Sequence, residues 1–415
     1  MTFCSAVFDI GTSSLKGALI DKNGKVYIQS RLFFPAAVEA ENWFISFENM
    51  FKQFSDFAFN GNIKISGICI SGNGPSLIAV SGETNKLLLW NVPLLKKEQA
   101  ENDADTQKLL KKTLNTRSIF LPRFEVFSLL FPEEFKNAET FFSGPEFLIY
   151  KLTKNCVTVL PEERYTCAYW TKEELKEFKI PLKKIPPFVK AGSLCGFYRS
   201  IPVFAGVPDF IAALIGTDTV YPGAACDRAG SSEGINICVK EIPPPEKLKG
   251  LRVLPSPVAP FWNLAFILSD SGIVFYEYIK KHGGSFLDFD SFMQAIIDER
   301  NNPKNGESTA AAGNLLVEKI ANEVKAGMDL LENAAGFRPV YTMCGGQAKS
   351  TLWRKLKAEI TCRKFKMPRL ADAELLGDAA IAFTSLGEYG SVSEAAALIS
   401  GSRYINKPFY LQTDI

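Results

Sequence analysis

The chain has 415 residues, 47% of them hydrophobic, enough for a sizeable core and for two domains. Charged residues make up 22% and nearly cancel to a formal net charge of +2, so no basic footprint for nucleic acid or an anionic membrane surface is present. No apolar run reaches the roughly 20 residues needed to span a bilayer, and Asp9 interrupts the first apolar stretch early, which together predict a cytoplasmic chain with no membrane partner.

The stretch "VFDIGTSSLKGALIDKNGKVYI" opens with an apolar strand that ends in Asp9 and Gly11. A nucleotide-binding glycine loop normally feeds a helix whose N-terminal amides hold phosphate. Here "LKGALID" restarts an apolar run within a few residues, too soon for the roughly 10–12 residues of a parallel crossover. Asn23-Gly24 then follows, a strong hairpin signal. Antiparallel strands are therefore expected, with Gly11, Thr12 and Ser13 in the turn between the first two. Converging amides and hydroxyls in such a turn can bind phosphate. Asp9 would point at those phosphates, well placed to hold a hydrated magnesium ion.

Further along, "ENWFISFENMFKQFSDFAF" carries Phe47, Phe51 and Phe54 at helical spacing. "IKISGICISGNGPSLIAVSGETNKLLLW" reads as two strands, a turn at Gly82–Asn85 and a third strand, and a helix-rich region extends to about Lys190. "IPVFAGVPDFIAALIG" reads as a strand and a helix beginning near Asp209, which suits a helix cap or first-turn acid. "AGSSEGINICV" repeats the opening theme and suggests two related halves, with a boundary near residue 220. The last region alternates again: a long helix closed by Gly336, the strand "PVYTMCGG", the helix "KSTLWRKLKAEIT" and a small-residue helix "ELLGDAAIAFTSLG".

Nine cysteines are scattered singly, which predicts buried reduced thiols and neither a disulfide framework nor a zinc site. His282, the only histidine, stands at an expected helix end, so Ser-His-Asp and multi-histidine metal chemistry have almost no material. Neither G-x-G-x-x-G nor a P-loop occurs; in "GGQAKST" the lysine does not follow a glycine.

Asp9 through Lys16 is a complete Asp-x-Gly-Thr-[Ser/Thr]-[Ser/Thr]-x-Lys motif, which resembles the opening of the actin-like ATPases. Together with "GVPDFIAALIG", Gly230-Ser231-Ser232 and "GGQAKSTLW", in that order along nearly the whole chain, it resembles the FGGY carbohydrate kinase family. The resemblance implies an α/β chain of two actin-like (ribonuclease H-like) domains, mixed sheets flanked by helices, with a cleft between them. Residues 1–220 would carry the substrate and the base, and residues 221–415 the nucleotide. It implies γ-phosphate transfer from ATP to a hydroxyl of a sugar or polyol such as a xylulose-like ketose, with a homodimer as the assembly it allows.

On the same resemblance Asp9 would organise Mg2+ and Asp209 would be the general base. Gly11, Thr12, Ser13, Gly230, Ser231 and Ser232 would approach the phosphates. Lys16 either adds charge there or faces solvent. Gly345 and Gly346 would admit adenine and ribose, with Gln347 as a hydrogen-bonding partner. The acceptor side departs from the family: "SGNGPS" leaves Asn73, Gly74 and Ser76, and Trp90 lacks the acid and arginine that usually follow it. Such a pocket discriminates poorly among polyols or takes an unusual one. The alternative is a degenerate relative that binds nucleotide without phosphorylating sugar, as a sensor or partner protein.

Overall fold

A computed structural model describes residues 1–93, 116–282, 284–303 and 308–401. Part of the expected helix-rich region, residues 94–115, lies outside them. The chain divides into two compact units: residues 1–212 with 377–395, and residues 213–376 with the remainder. In place of a single boundary near residue 220 the chain passes between the units three times, after residues 212, 376 and 395, and a late helix returns to the first unit.

The main sheet of the first unit has six strands: β1 (Thr2–Ile10), β2 (Ser14–Asp21), β3 (Val26–Phe33), β4 (Ile63–Gly72), β10 (Leu194–Tyr198) and β11 (Ile201–Pro208). They lie in the order β10-β11-β4-β1-β2-β3. β1, β2 and β3 are antiparallel neighbours, as the hairpin argument required, and Asp9 faces Lys16 across the first pair. Asp21 Oδ1 accepts from the amides of Asn23 and Lys25, both at 2.9 Å, and Gly24 takes a φ of +79° to close the second hairpin. β4 and β11 then add in parallel beside β1.

Helix α1 (Ala40–Asn60) lays Trp43, Phe47, Met50, Phe51 and Phe54 on this sheet, where Phe8 meets Phe47 and Phe54. Between β4 and β11 the chain builds a small sheet from β5 (Leu77–Ser81), β6 (Thr84–Leu88) and β7 (Thr140–Phe142), and a pair from β8 (Thr158–Leu160) and β9 (Phe188–Lys190). Helices α2 (Leu121–Leu130), α3 (Pro132–Asn137), α4 (Gly144–Thr153) and α5 (Lys172–Glu177) accompany them.

The second unit repeats the plan. Its strands are β12 (Ala225–Ala229), β13 (Glu233–Val239), β14 (Arg252–Pro255), β15 (Trp262–Leu268), β16 (Tyr341–Cys344) and β17 (Phe365–Lys366), in the order β14-β15-β13-β12-β16-β17. A central antiparallel hairpin, β12–β13, again has its first strand paired in parallel with a later one, β16. The short resemblance between the two glycine-serine turns therefore extends to sheet topology.

Helix α6 (Asp209–Gly216) follows β11 directly, and α7 (Gly272–Lys281), α8 (Phe289–Asn301), α9 (Thr309–Ala335) and α10 (Thr351–Thr361) come later in the chain. Gly336 ends α9 at a φ of +79°, and His282 caps α7, both as expected. Helix α11 (Ala373–Ser385) carries the chain back to the first unit, where a Cβ on Gly377 would lie 2.0 Å from the Ala212 carbonyl oxygen. The nine cysteines are all unpaired; Cys156, Cys167 and Cys362 are exposed, and the other six are buried. No helix among the described residues is long and apolar enough to cross a membrane.

Gly206 sets β11 against β4, because a Cβ there would lie 2.0 Å from the Ile70 carbonyl oxygen. Backbone atoms cannot yield as a side chain does, so Gly206→Ala should cost roughly 1–3 kcal/mol or more. A lowered urea midpoint with an unchanged denaturant slope is the expected reading.

Candidate functional site

Three parallel strands of the first unit end side by side. Ile10 of β1 pairs with Gly72 of β4, and Gly72 pairs with Pro208 of β11. The residues that follow, Gly11, Asn73 and Asp209, therefore emerge in a row at the carboxyl edge, where open α/β sheets place their ligands.

At that edge the first turn is closed by Gly11 N–H donating to the Ser14 carbonyl at 2.9 Å. Asn73 Nδ2 donates to the Gly11 carbonyl at 2.9 Å, and Ser76 Oγ donates to Asn73 Oδ1 at 3.2 Å. Ser76 Oγ also accepts from Trp90 N–H at 3.0 Å, while Trp90 Nε1 donates to Thr12 Oγ1 at 2.9 Å. The expected acceptor residues Asn73, Ser76 and Trp90 are thus linked to the expected phosphate residues Gly11 and Thr12. Asn73 and Ser76 are buried; Trp90 is exposed, as is Ser13. Gly74 lies within 4.0 Å of Pro208 for an added Cβ, which keeps the loop against the start of α6.

Asp9 is 1% exposed and forms an ion pair with Lys16 at 2.9 Å. Lys16 is only partly buried and turns onto the acid, so of its two readings the solvent-facing one is not adopted. Beneath Asp9, Ser71 Oγ lies 3.5 Å from Asp9 Oδ1 and donates to Asp378 Oδ2 at 2.7 Å. Asp378 is fully buried and arrives on α11, 307 residues downstream of Ser71. Sequence reasoning missed it. The signal was an acid inside an otherwise small and apolar helix, "LLGDAAIA".

Asp209 is half-buried at the first position of α6, and its Oδ1 accepts from Phe210 N–H at 2.7 Å. The helix dipole favours a carboxylate there. Among the described residues no group of three or more His, Cys, Asp or Glu could hold a metal. Asp9, buried beside the Gly11–Ser13 turn, is an oxygen donor of the kind that suits a magnesium ion keeping most of its waters.

In the second unit β12 and β16 also end together, Arg228 pairing with Cys344. The Gly230–Ser232 turn is closed by Gly230 N–H donating to the Ser232 carbonyl at 3.0 Å. Gly345, at a φ of +90°, lies so close to β12 that a Cβ would sit 2.5 Å from the Ala229 carbonyl oxygen. Gly346 is exposed, with open space around it. Gln347 was expected to face a ligand. Instead it is buried, and its Nε2 donates to the Gly230 carbonyl at 2.8 Å and to Ser271 Oγ at 3.0 Å. Ser350 caps α10, and Lys349 pairs with Asp372 at 2.9 Å, so neither behaves as part of a P-loop.

Twin sheets, each with a glycine-hydroxyl hairpin turn at its centre, are a fold that this chain shares with solved two-domain sugar kinases. Gluconate kinase from Lactobacillus acidophilus superposes with a TM-score of 0.76 at 16% identity, covering 99% of this chain and 94% of that one. Plasmodium falciparum glycerol kinase with ADP gives 0.75 at 14% identity, covering 96% and 92%. In sequence the chain is 24% identical over 266 residues to a xylulose kinase of Lactococcus lactis subsp. lactis (strain IL1403), across 56% of this chain and 52% of the relative. The match thus spans about half the length of that curated relative. No protein-family profile matches the chain. By fold the chain is similar to these carbohydrate kinases, and over part of its length it is similar in sequence to the xylulose kinase.

One further acid adjoins the first-unit edge. Glu146, on α4, lines a small cavity with Gly72, Gly74, Gly206 and Pro208. It is 4% exposed; Oε1 accepts from Val159 N–H at 2.9 Å, and Oε2 has no hydrogen-bond partner. Burial pushes its carboxyl up to about 7, against the opposing pull of the Val159, Glu146 and Ser143 amides. The folded state therefore holds a proton that the unfolded chain releases near 4.5. The stability this proton contributes is complete below pH 4.5 and is lost as pH rises through 7, about 3 kcal/mol in all. Urea unfolding between about pH 4.5 and 8 should show that loss in the wild type. Glu146→Gln should remove it and be the more stable protein at about pH 8.

Proposed function

We propose that the chain is an ATP-dependent carbohydrate kinase that transfers the γ-phosphate of ATP to a hydroxyl of a sugar or polyol, with Asp209 as general base. The observation that carries this reading is the row of strand ends, which sets the Gly11–Ser13 turn, the Asn73 loop and Asp209 side by side. The xylulose kinase relative favours a ketose or related polyol as acceptor. The nine unpaired cysteines suit a reducing compartment such as the cytoplasm.

In this reading the first unit binds the acceptor and part of the phosphate chain. Asn73 and Trp90 present the polar and flat surfaces for the acceptor, and the amides and hydroxyls of Gly11, Thr12 and Ser13 receive phosphate oxygens. The acceptor hydroxyl attacks the γ-phosphorus and gives its proton to the Asp209 carboxylate, while the bond to the β-phosphate oxygen breaks and ADP leaves with that electron pair. Asp209 needs a fixed direction for this, which its place at the start of α6 and its bond from Phe210 N–H provide. Bound magnesium would offset the phosphate charge, with Asp9 holding it through water. In the second unit, taken by itself, the Gly230–Ser232 turn and the open backbone at Gly346 are the candidate nucleotide contacts.

The test is ADP release from ATP–Mg across a panel of ketoses, aldoses and polyols. One acceptor class should stimulate release, and Asp209→Asn should lower kcat by roughly 10²–10⁴-fold with nucleotide affinity retained. Nucleotide binding with no stimulation by any acceptor would defeat the kinase reading in favour of a binding protein.

A further inference from the structure

The second unit contains an ion cluster for which the proposed chemistry has no use. Asp227 on β12, Glu233 on β13 and Lys357 on α10 are each 0% exposed, and Lys357 Nζ donates to both acids. Two carboxyls and one ammonium do not balance in a dry interior. Burial and the adjacent Glu233 push the Asp227 carboxyl well up, against the pull of Lys357. Burial disfavours the Lys357 ammonium, but the two acids outweigh it and keep it charged.

From this cluster a chain of hydrogen bonds leads outward. Glu233 Oε2 accepts from Ser271 Oγ at 2.7 Å, and Ser271 Oγ accepts from Gln347 Nε2 at 3.0 Å. The same Nε2 donates to the Gly230 carbonyl at 2.8 Å. Alongside, Gly272 N–H donates to the Gly230 carbonyl at 3.2 Å, and Ile273 N–H donates to the Ser231 carbonyl at 3.0 Å. Gly272 sits so close that a Cβ would fall 2.3 Å from the Gly230 carbonyl oxygen. The Gly230 and Ser231 carbonyls are therefore held by the Ser271–Ile273 backbone, and the Gly230 carbonyl also by Gln347, which the Ser271 hydroxyl links to Glu233.

We propose that Lys357, acting through Glu233, Ser271 and Gln347, is a positioning residue that fixes the Gly230–Ser232 turn in its phosphate-binding shape. The inference rests on the kinase reading to the extent that this turn meets phosphate. Stability alone does not demand such a cluster, because well-packed apolar side chains in its place are often as stable or more so. Apolar side chains cannot, however, present an acceptor to Ser271. Lys357 holds Glu233 in the orientation in which its second oxygen does so.

Three variants of the full chain separate these effects: Ser271→Ala, Lys357→Met, and the triple Asp227→Asn, Glu233→Gln, Lys357→Met. Each is measured for amide hydrogen exchange at residues 230–232, for ADP–Mg affinity by calorimetry, and for thermal midpoint. Ser271→Ala keeps all three residues of the ion cluster but removes the donor to Glu233 Oε2; it should speed exchange in the turn, weaken ADP about tenfold and lower the midpoint modestly. Lys357→Met should do the same with a lower midpoint. The triple variant should recover both exchange and affinity, because the amide oxygen introduced by Glu233→Gln would still offer Ser271 an acceptor. Wild-type exchange at residues 230–232 in folded Ser271→Ala and Lys357→Met overturns the positioning role, whatever the midpoints do. Faster exchange with wild-type ADP affinity overturns the link to phosphate. If the wild type binds no ADP, the phosphate reading of the turn falls, and the exchange arm still decides whether the cluster holds the turn.

Discussion

The first unit is organised around a charge that water cannot reach. Asp9 ends the central strand almost wholly buried, and a carboxylate there is tolerable only if a cation answers it at short range. The hairpin supplies that cation, because the β1–β2 register sets Lys16 opposite Asp9. A crossover helix could not have done so. It would have taken the chain away from the sheet just where the lysine is needed. The turn that remains is short, its Gly11 carbonyl meets Asn73, and its hydroxyl Thr12 meets Trp90. One ion pair thus fixes the strand pairing, the pairing fixes the turn, and the turn collects the loop from β4.

The second requirement is close approach of backbone at the edge where those loops emerge. Gly72 and Gly206 have no room for a side chain against Ile10 and Ile70, so β1, β4 and β11 end in step. That alignment gives Asp209 its place beside the Asn73 loop, and the start of α6 gives it direction. In the second unit Gly345 performs the same service against Ala229. Glycine at these points is a packing requirement of the sheet, whatever ligand the edge receives.

Much of this was legible in the sequence. The short spacing after Gly11 and the Asn23-Gly24 pair forced antiparallel strands, and the strand and helix around Asp209 stood where apolar runs and Pro208 placed them. What could not be read are partners brought together from a distance. Asp378 reaches Ser71 from the far end of the chain, across a segment that belongs to the other unit. Lys357, in "WRKLKAEI", reads as one of several lysines on an amphipathic helix, yet it is fully buried between two acids that lie 130 and 124 residues away. Glu146 reads as an ordinary first-turn acid and is buried. Periodicity assigns a residue to an element; it does not say which charge on another element will meet it. Gln347 shows the converse. Its motif suggested a ligand contact; its Nε2 is engaged by the Gly230 carbonyl and Ser271, while its Oε1 is buried without a hydrogen-bond partner.

The two units meet one physical demand in different ways. Each must hold a glycine-hydroxyl turn in one shape at the end of a central hairpin, and each does so with buried charge. In the first, the cation stands on the hairpin itself and keeps some contact with solvent. Under the proposed function its charge can be shared with a phosphate anion that arrives at the turn. In the second, the cation comes from a helix and is sealed off between two acids, so its influence on the turn travels through hydrogen bonds. The first arrangement therefore suits a turn that takes part in charge compensation. The second suits a turn whose geometry must already be set when the ligand arrives. Twin sheets that share a five-strand plan have in this way become unequal at the turns of their central hairpins, and much of that inequality lies in side chains far apart in sequence.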